Sequence, residues 1–69
     1  MTPTAIKEAR LLLGLTPDQI APLLGYSSRT RIYELENGAR SIGAAAGLLL
    51  RAYLDGYRPS GWPTLRTPP

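Results

Sequence analysis

Arg29, Thr30, Tyr33, Glu34 and Asn37 carry the polar groups in this chain whose spacing could do chemistry together. At about 100° per residue they share one face of a short helix, opposite Ile32 and Leu35. The chemistry on offer is hydrogen bonding to nucleotides rather than catalysis. Arg29 can fork onto guanine O6 and N7, Thr30 offers a hydroxyl or a methyl to thymine, and Glu34 can accept from a cytosine amino group. Tyr33 lies in the same cluster. Each good base contact gives about 1–3 kcal/mol of discrimination. The same residue types also make ordinary solvated helix faces, and periodicity alone does not choose between the two.

Positioning such a face requires a scaffold, and the flanking residues spell one. Helix 1 is predicted to start after Thr2 or Thr4 and to run to Leu13, with Gly14 as its stop. Its apolar stripe is Ala5, Ile6, Ala9, Leu12 and Leu13, and Arg10 falls on the stripe's edge, where a charge needs a partner. Helix 2 opens with Thr16 as N-cap, Pro17 in the first helical position and Gln19 three residues after the cap, a capping box. Ile20, Ala21 and Leu24 form its buried side, and Gly25 ends it in the left-handed conformation. Pro22 removes a hydrogen bond to Asp18, at about 3 kcal/mol in a regular helix interior, so a kink or a tighter first turn is expected.

Helix 3 is capped by Ser27 or Ser28, runs from about Arg29 to Glu36 and ends at Gly38. Helix 4 starts near Ser41 or Ile42 and extends to Asp55, stopped by Gly56. Its inward stripe is Ile42, Ala45, Ala46, Leu49, Leu50 and Tyr53, flanked by Leu48 and Leu54. Four prolines in the segment from Tyr57 onward rule out a further helix there. The fold expected is therefore all-α, a compact bundle of four helices (five at most) over residues 4–56. A Pro-rich, extended tail over 57–69 serves as a candidate dimerisation arm.

Composition narrows the function. The 69 residues make one small domain, only marginally stable alone. With no cysteine and no histidine there is no disulfide framework, no thiolate metal site and no usual general base. No P-loop, dinucleotide fingerprint or nucleophile elbow is present, and Glu34 and Glu36 point in different directions, so an enzyme is not expected. Neither is a metal, a cofactor or a small-molecule ligand. The longest apolar run, Ala44–Leu50, is too short to span a bilayer, and MTPTAIKEAR lacks a signal-peptide pattern, which makes a cytoplasmic protein the expectation. The net charge is +3, and every basic residue but Lys7 is an arginine, the side chain suited to phosphates and guanine edges.

Leu15–Gly38, two short helices joined by a tight turn with a polar face on the second, has the layout of a helix-turn-helix. It resembles the phage-repressor type, the Cro/repressor or XRE-like family. The residues that carry the likeness are Arg10, Gly14-Leu15-Thr16, Ile20-Ala21, Leu24-Gly25, Ile32 and Leu35-Glu36-Asn37-Gly38. The resemblance covers about residues 4–56 and implies a dimeric DNA-binding repressor. By that likeness Ser28, Arg29, Thr30 and Glu34 match positions that touch bases or adjacent phosphates, and Asn37 and Arg40 match backbone-contacting positions. Taken with the helix face, the base-reading candidates are Arg29, Thr30, Tyr33 and Glu34, and the backbone candidates Thr16, Ser27, Ser28, Arg31, Asn37 and Arg40. The likeness also implies a partly buried ion pair between Arg10 and Glu36. Pro17 stands where the family usually has a phosphate-holding glutamine, and the turn Gly25-Tyr26-Ser27-Ser28 is one residue longer than the common form.

A lone Trp62 in the tail must either fold back onto helix 4 or dock on a second subunit. Leu48, Leu54, Tyr57 and Trp62 are the candidate dimer residues. The function expected is a homodimeric repressor reading an inverted-repeat operator, with helix 3 of each copy in successive major grooves about 34 Å apart. It would be an autorepressor of a small phage or bacterial operon, regulated by its own concentration. The alternatives are an antitoxin-type repressor that holds a toxin through the tail, and a protein-interaction module without DNA binding.

Overall fold

The computed structural model describes residues 1–63; the remainder of the tail, 64–69, on which part of the extended-arm expectation falls, lies outside the described residues. Four helices follow one another: α1 (Pro3–Leu12), α2 (Pro17–Leu23), α3 (Arg29–Asn37) and α4 (Ala44–Leu54). No strand occurs among the described residues.

Local chemistry sets the helix ends. Thr2 caps α1, its hydroxyl accepting from the Ala5 amide at 3.1 Å. At α2 the capping box closes both ways: the Gln19 amide donates to Thr16 Oγ1 at 3.2 Å, and the Thr16 amide donates to Gln19 Oε1 at 2.9 Å. The Gln19 amide also lies 3.0 Å from the Thr16 carbonyl, a tight first turn. The helix holds through Pro22 because it ends one residue later, so a single carbonyl, that of Asp18, goes without its helical donor. Gly25, at φ 85°, then reverses the chain. Tyr26 donates to the Ala21 carbonyl at 2.8 Å and Gly25 to that of Pro22 at 3.1 Å, which closes the helix with a Schellman motif.

α3 packs against α2 and α1, and α1 against α4. Ile6, Ala9, Leu15, Ile20, Ala21, Leu24, Ile32, Leu35, Ala46, Leu50, Tyr53 and Trp62 make one continuous core. Three sequence expectations change here. Leu12 is 81 % exposed, because the chain turns at Gly14 and Leu15 takes the inward place beside Ile6 and Ala9. α4 begins at Ala44 and buries only the narrow stripe Ala46, Leu50 and Tyr53, which leaves Ala45 and Leu49 on the outside. Ile42 belongs to the preceding loop and packs on the core from there.

The largest change concerns the tail. Trp62 is buried at 4 % exposure within its own chain, edge-on to Tyr53 with ring centroids 5.0 Å apart. Arg58 holds the fold-back. Its Nη1 donates to the carbonyls of Tyr53 at 2.6 Å and Tyr57 at 2.9 Å, at the negative end of the α4 dipole, and the guanidinium lies 4.5 Å from the Trp62 ring centre. The core thus reaches beyond the expected limit at residue 56. Trp62 is withdrawn from any surface seam, since an indole this size gains more by covering the end of a small core than by staying in water. Tyr53 ties α4 to α2 as well, donating its hydroxyl to the Leu23 carbonyl at 2.6 Å. Burial, and Tyr57 alongside it, push the Tyr53 hydroxyl above its ordinary 10.0.

Candidate nucleic-acid interface

Ile32 and Leu35, each 1 % exposed, fix α3 from behind. Arg10 fixes it from the side. Its guanidinium grips Glu36 with two prongs, Nε to Oε2 at 2.7 Å and Nη2 to Oε1 at 3.2 Å, while Nη1 donates to the Leu15 carbonyl at 3.0 Å. One side chain therefore joins α1, the loop before α2, and α3. Both partners are about nine-tenths covered, so the pair is shielded from salt and directional.

With its inner face held, α3 turns Arg29, Thr30, Tyr33 and Asn37 to solvent, and Glu34 is half-buried. Ser28 is the N-cap residue, yet its side chain makes no capping hydrogen bond, and Ser27 beside it is exposed. Their hydroxyls and the first amides of α3 thus remain to serve an anion such as a phosphate. Ser27, Ser28, Thr30, Arg31, Glu34 and Arg40 line one groove of about 360 Å³ together with Gly25 and Tyr26. Thr16, Arg29, Tyr33 and Asn37 lie outside that groove.

Four contacts went unforeseen in the sequence. Arg29 reaches across the turn to Asp18, Nη1 to Oδ2 at 3.2 Å, with both side chains mostly in water. Arg31 lies 5.7 Å over the Tyr26 ring. Glu34 Oε1 stands between two arginines, 3.2 Å from Arg31 Nε and 3.1 Å from Arg40 Nε. All but the Arg31–Glu34 pair join residues from different elements, which no helical wheel displays; Arg31 and Glu34 are three apart on α3, the one pair that spacing signals.

Asn37 is partly committed to its own backbone. Its Oδ1 accepts from the Ala39 amide at 2.8 Å, just beyond Gly38 at φ 85°, and the Arg40 amide donates to the Glu34 carbonyl at 3.2 Å. This closes α3 and leaves the Asn37 amino group as its outward donor. Thr16 likewise spends an acceptor lone pair on its cap and keeps its hydroxyl proton for an outside partner.

Among the other candidates, Leu48 (71 %), Tyr57 (54 %) and Leu54 (39 %) are exposed on or just after α4. Among the described residues no cluster of histidine, cysteine, aspartate or glutamate could hold a metal ion, and no helix is long and apolar enough to cross a membrane.

No curated protein and no solved structure matches the chain. A helix-turn-helix family model matches residues 6–60, which takes in α2, α3, α4 and all of α1 but its first three residues, and stops short of Trp62. That family comprises DNA-binding regulators rather than enzymes. The exposed polar side of α3, held in place by Ile32, Leu35 and the Arg10–Glu36 pair, is the part of the molecule suited to a major groove. The chain belongs to the XRE-type helix-turn-helix family, and it is a transcription regulator that binds double-stranded DNA.

Proposed function

We propose that the protein is a homodimeric repressor that reads an inverted-repeat operator, one α3 per half-site, and represses a small phage or bacterial operon that includes its own gene. It acts in the cytoplasm, where that DNA lies. The observation that carries this reading is the division of labour on α3. Ile32 and Leu35 are wholly buried, while Arg29, Thr30 and Tyr33 on the opposite side are open to solvent. A helix in that state can enter a groove without any part of the protein moving aside.

A second copy has a surface to join. Leu48, Leu54 and Tyr57 are exposed apolar side chains along and after α4, of the kind a subunit interface covers. Two domains paired there would hold their reading helices as a fixed unit, which sets the spacing of the half-sites. Arg29, Thr30, Tyr33 and Glu34 contact bases in this arrangement, with Thr16, Ser27, Ser28, Arg31, Asn37 and Arg40 along the phosphates.

Selection from a random duplex library, followed by footprinting of the winners, tests the proposal. The expected result is a two-fold symmetric sequence with half-site centres about 10 base pairs apart, or a multiple of that, occupied by two chains in sedimentation. A single unsymmetric site bound by one chain would refute the dimeric reading.

A further inference from the structure

Glu34 sits on the reading side of α3, yet its carboxylate is already taken. One oxygen, Oε1, lies 3.2 Å from Arg31 Nε and 3.1 Å from Arg40 Nε. Arg31 comes from the same helix and Arg40 from the loop after it, so the carboxylate draws together two cations that the backbone alone would leave apart. The three side chains line the same groove as Ser27, Ser28 and Thr30. Neither guanidinium donates a hydrogen bond within the protein among the described residues, and both are about half exposed. A single negative group placed between two arginines is what a DNA phosphate would be.

We propose that Glu34 is an internal stand-in for phosphate and couples base recognition to backbone affinity. This inference rests on α3 entering the major groove. In the free protein Glu34 holds Arg31 and Arg40 and offsets part of their charge. A matching base pair presents an amino donor, that of cytosine N4, and the carboxylate turns to it. Both arginines are then released to phosphates. On a site without such a donor, Glu34 stays on its arginines and the phosphate contacts are forfeited. The residue thereby acts on specificity twice: through the base it accepts from, and through the cations it withholds from wrong sequences.

Physical magnitudes allow the exchange. An exposed or half-exposed ion pair is a weak tie that salt and a competing phosphate can open. Each phosphate newly neutralised by an arginine adds about 0.9 to the slope of log affinity against log salt. Glu34→Gln keeps the shape of the side chain and removes its charge, so both arginines would be available on any DNA.

The test measures binding to random-sequence duplex across a salt series for the parent, E34Q, the double variant R31Q/R40Q and the triple variant that combines them, with helicity checked by circular dichroism. E34Q should bind random duplex more tightly, with a slope steeper by about one to two units. It should also lose most of its preference for the selected operator over random duplex. In the R31Q/R40Q background, adding E34Q should change the slope little, since the arginines through which it acts are absent. Should E34Q match the parent in slope, or act equally with and without the arginines, Glu34 is only a repulsive surface charge and the inference falls. Should the parent itself ignore duplex DNA at low salt, the major-groove reading falls with it.

Discussion

Arg10 and Glu36, separated by 26 positions in sequence, meet in a two-pronged ion pair at 2.7 and 3.2 Å that binds α1 to α3. A third hydrogen bond from Arg10 to the Leu15 carbonyl leaves the guanidinium well satisfied. Removing one partner strands a shielded charge, a loss of about 3–5 kcal/mol. Arg10→Ala and Glu36→Ala should each lower the urea midpoint steeply. Replacing both partners by apolar residues of similar size should cost far less than either single change, because no unpaired charge is left behind. Equal losses for the single and double variants would show that packing, not charge, sets the contribution of this pair.

The fold-back of the tail makes a second prediction about stability. Trp62 closes the core against Tyr53, and Arg58 fixes it there by bonding to the end of α4. Deleting a buried indole costs about 3–5 kcal/mol, a large part of what a domain this size holds. Truncation after Gly56 should therefore lower the melting temperature strongly, and Trp62→Ala should account for most of that drop. Arg58→Ala should give a smaller loss together with a red-shifted Trp62 fluorescence. A truncated chain that melts like the parent would show that the fold-back contributes nothing.

Tyr53 supplies a pH test. Its hydroxyl donates to the Leu23 carbonyl, and burial, with Tyr57 beside it, raises its pKa above 10.0. Raised in the folded state, this group contributes stability that is complete below the unfolded value. The contribution is lost as pH climbs from there through the folded value. Unfolding free energy in urea should accordingly hold level up to about pH 9 and decline beyond it. Tyr53→Phe should be less stable than the parent at pH 8, because the Leu23 carbonyl loses its donor. It should then decline less as pH rises. Parallel curves for the two proteins would mean that Tyr53 titrates alike folded and unfolded.

These particulars also mark what a reader of the sequence can and cannot obtain. Thr16, Pro17 and Gln19 announce the start of α2, and Gly25 and Gly38 the ends of two helices, because caps are local bargains among neighbouring residues. Ile32 and Leu35 show the buried side of α3 by spacing alone. Arg10 at the edge of an apolar stripe demands a partner, and only the family likeness points to Glu36. Leu12 deceived the helical wheel, since the wheel cannot know that the chain turns and Leu15 takes the inner place. Trp62 was ambiguous for a related reason: whether an indole seeks its own core or another chain depends on where Arg58 and Tyr53 stand in space. The hold of Arg31 and Arg40 on Glu34 joins a helix to the loop beyond its left-handed end, a meeting that follows from the turn at Gly38 and from no pattern in the letters.

Arg29 and Arg40 should separate sequence reading from backbone binding. Arg29 is tied only to Asp18, at 3.2 Å and largely in water. Such an exposed pair holds about 0.2–1 kcal/mol, less than the 1–3 kcal/mol of a bidentate guanine contact, so in the proposed complex a guanine would take Arg29 from Asp18. Arg29→Ala should reduce discrimination at particular base pairs of the selected operator by about 1–3 kcal/mol and leave random-duplex affinity nearly untouched. Arg40 lies past the left-handed end of α3, paired with Glu34, and in the proposed complex it addresses phosphates. Arg40→Ala should weaken binding to the operator, and to those single-base variants that keep the base pair Glu34 accepts from, and lower the salt slope there by about one unit. Random-duplex binding should change little, because Glu34 already withholds Arg40 from it. The two variants need only be titrated against the operator, its single-base variants and random duplex at several salt concentrations. If both bind all of these as the parent does, the face of α3 assigned to DNA is the wrong one.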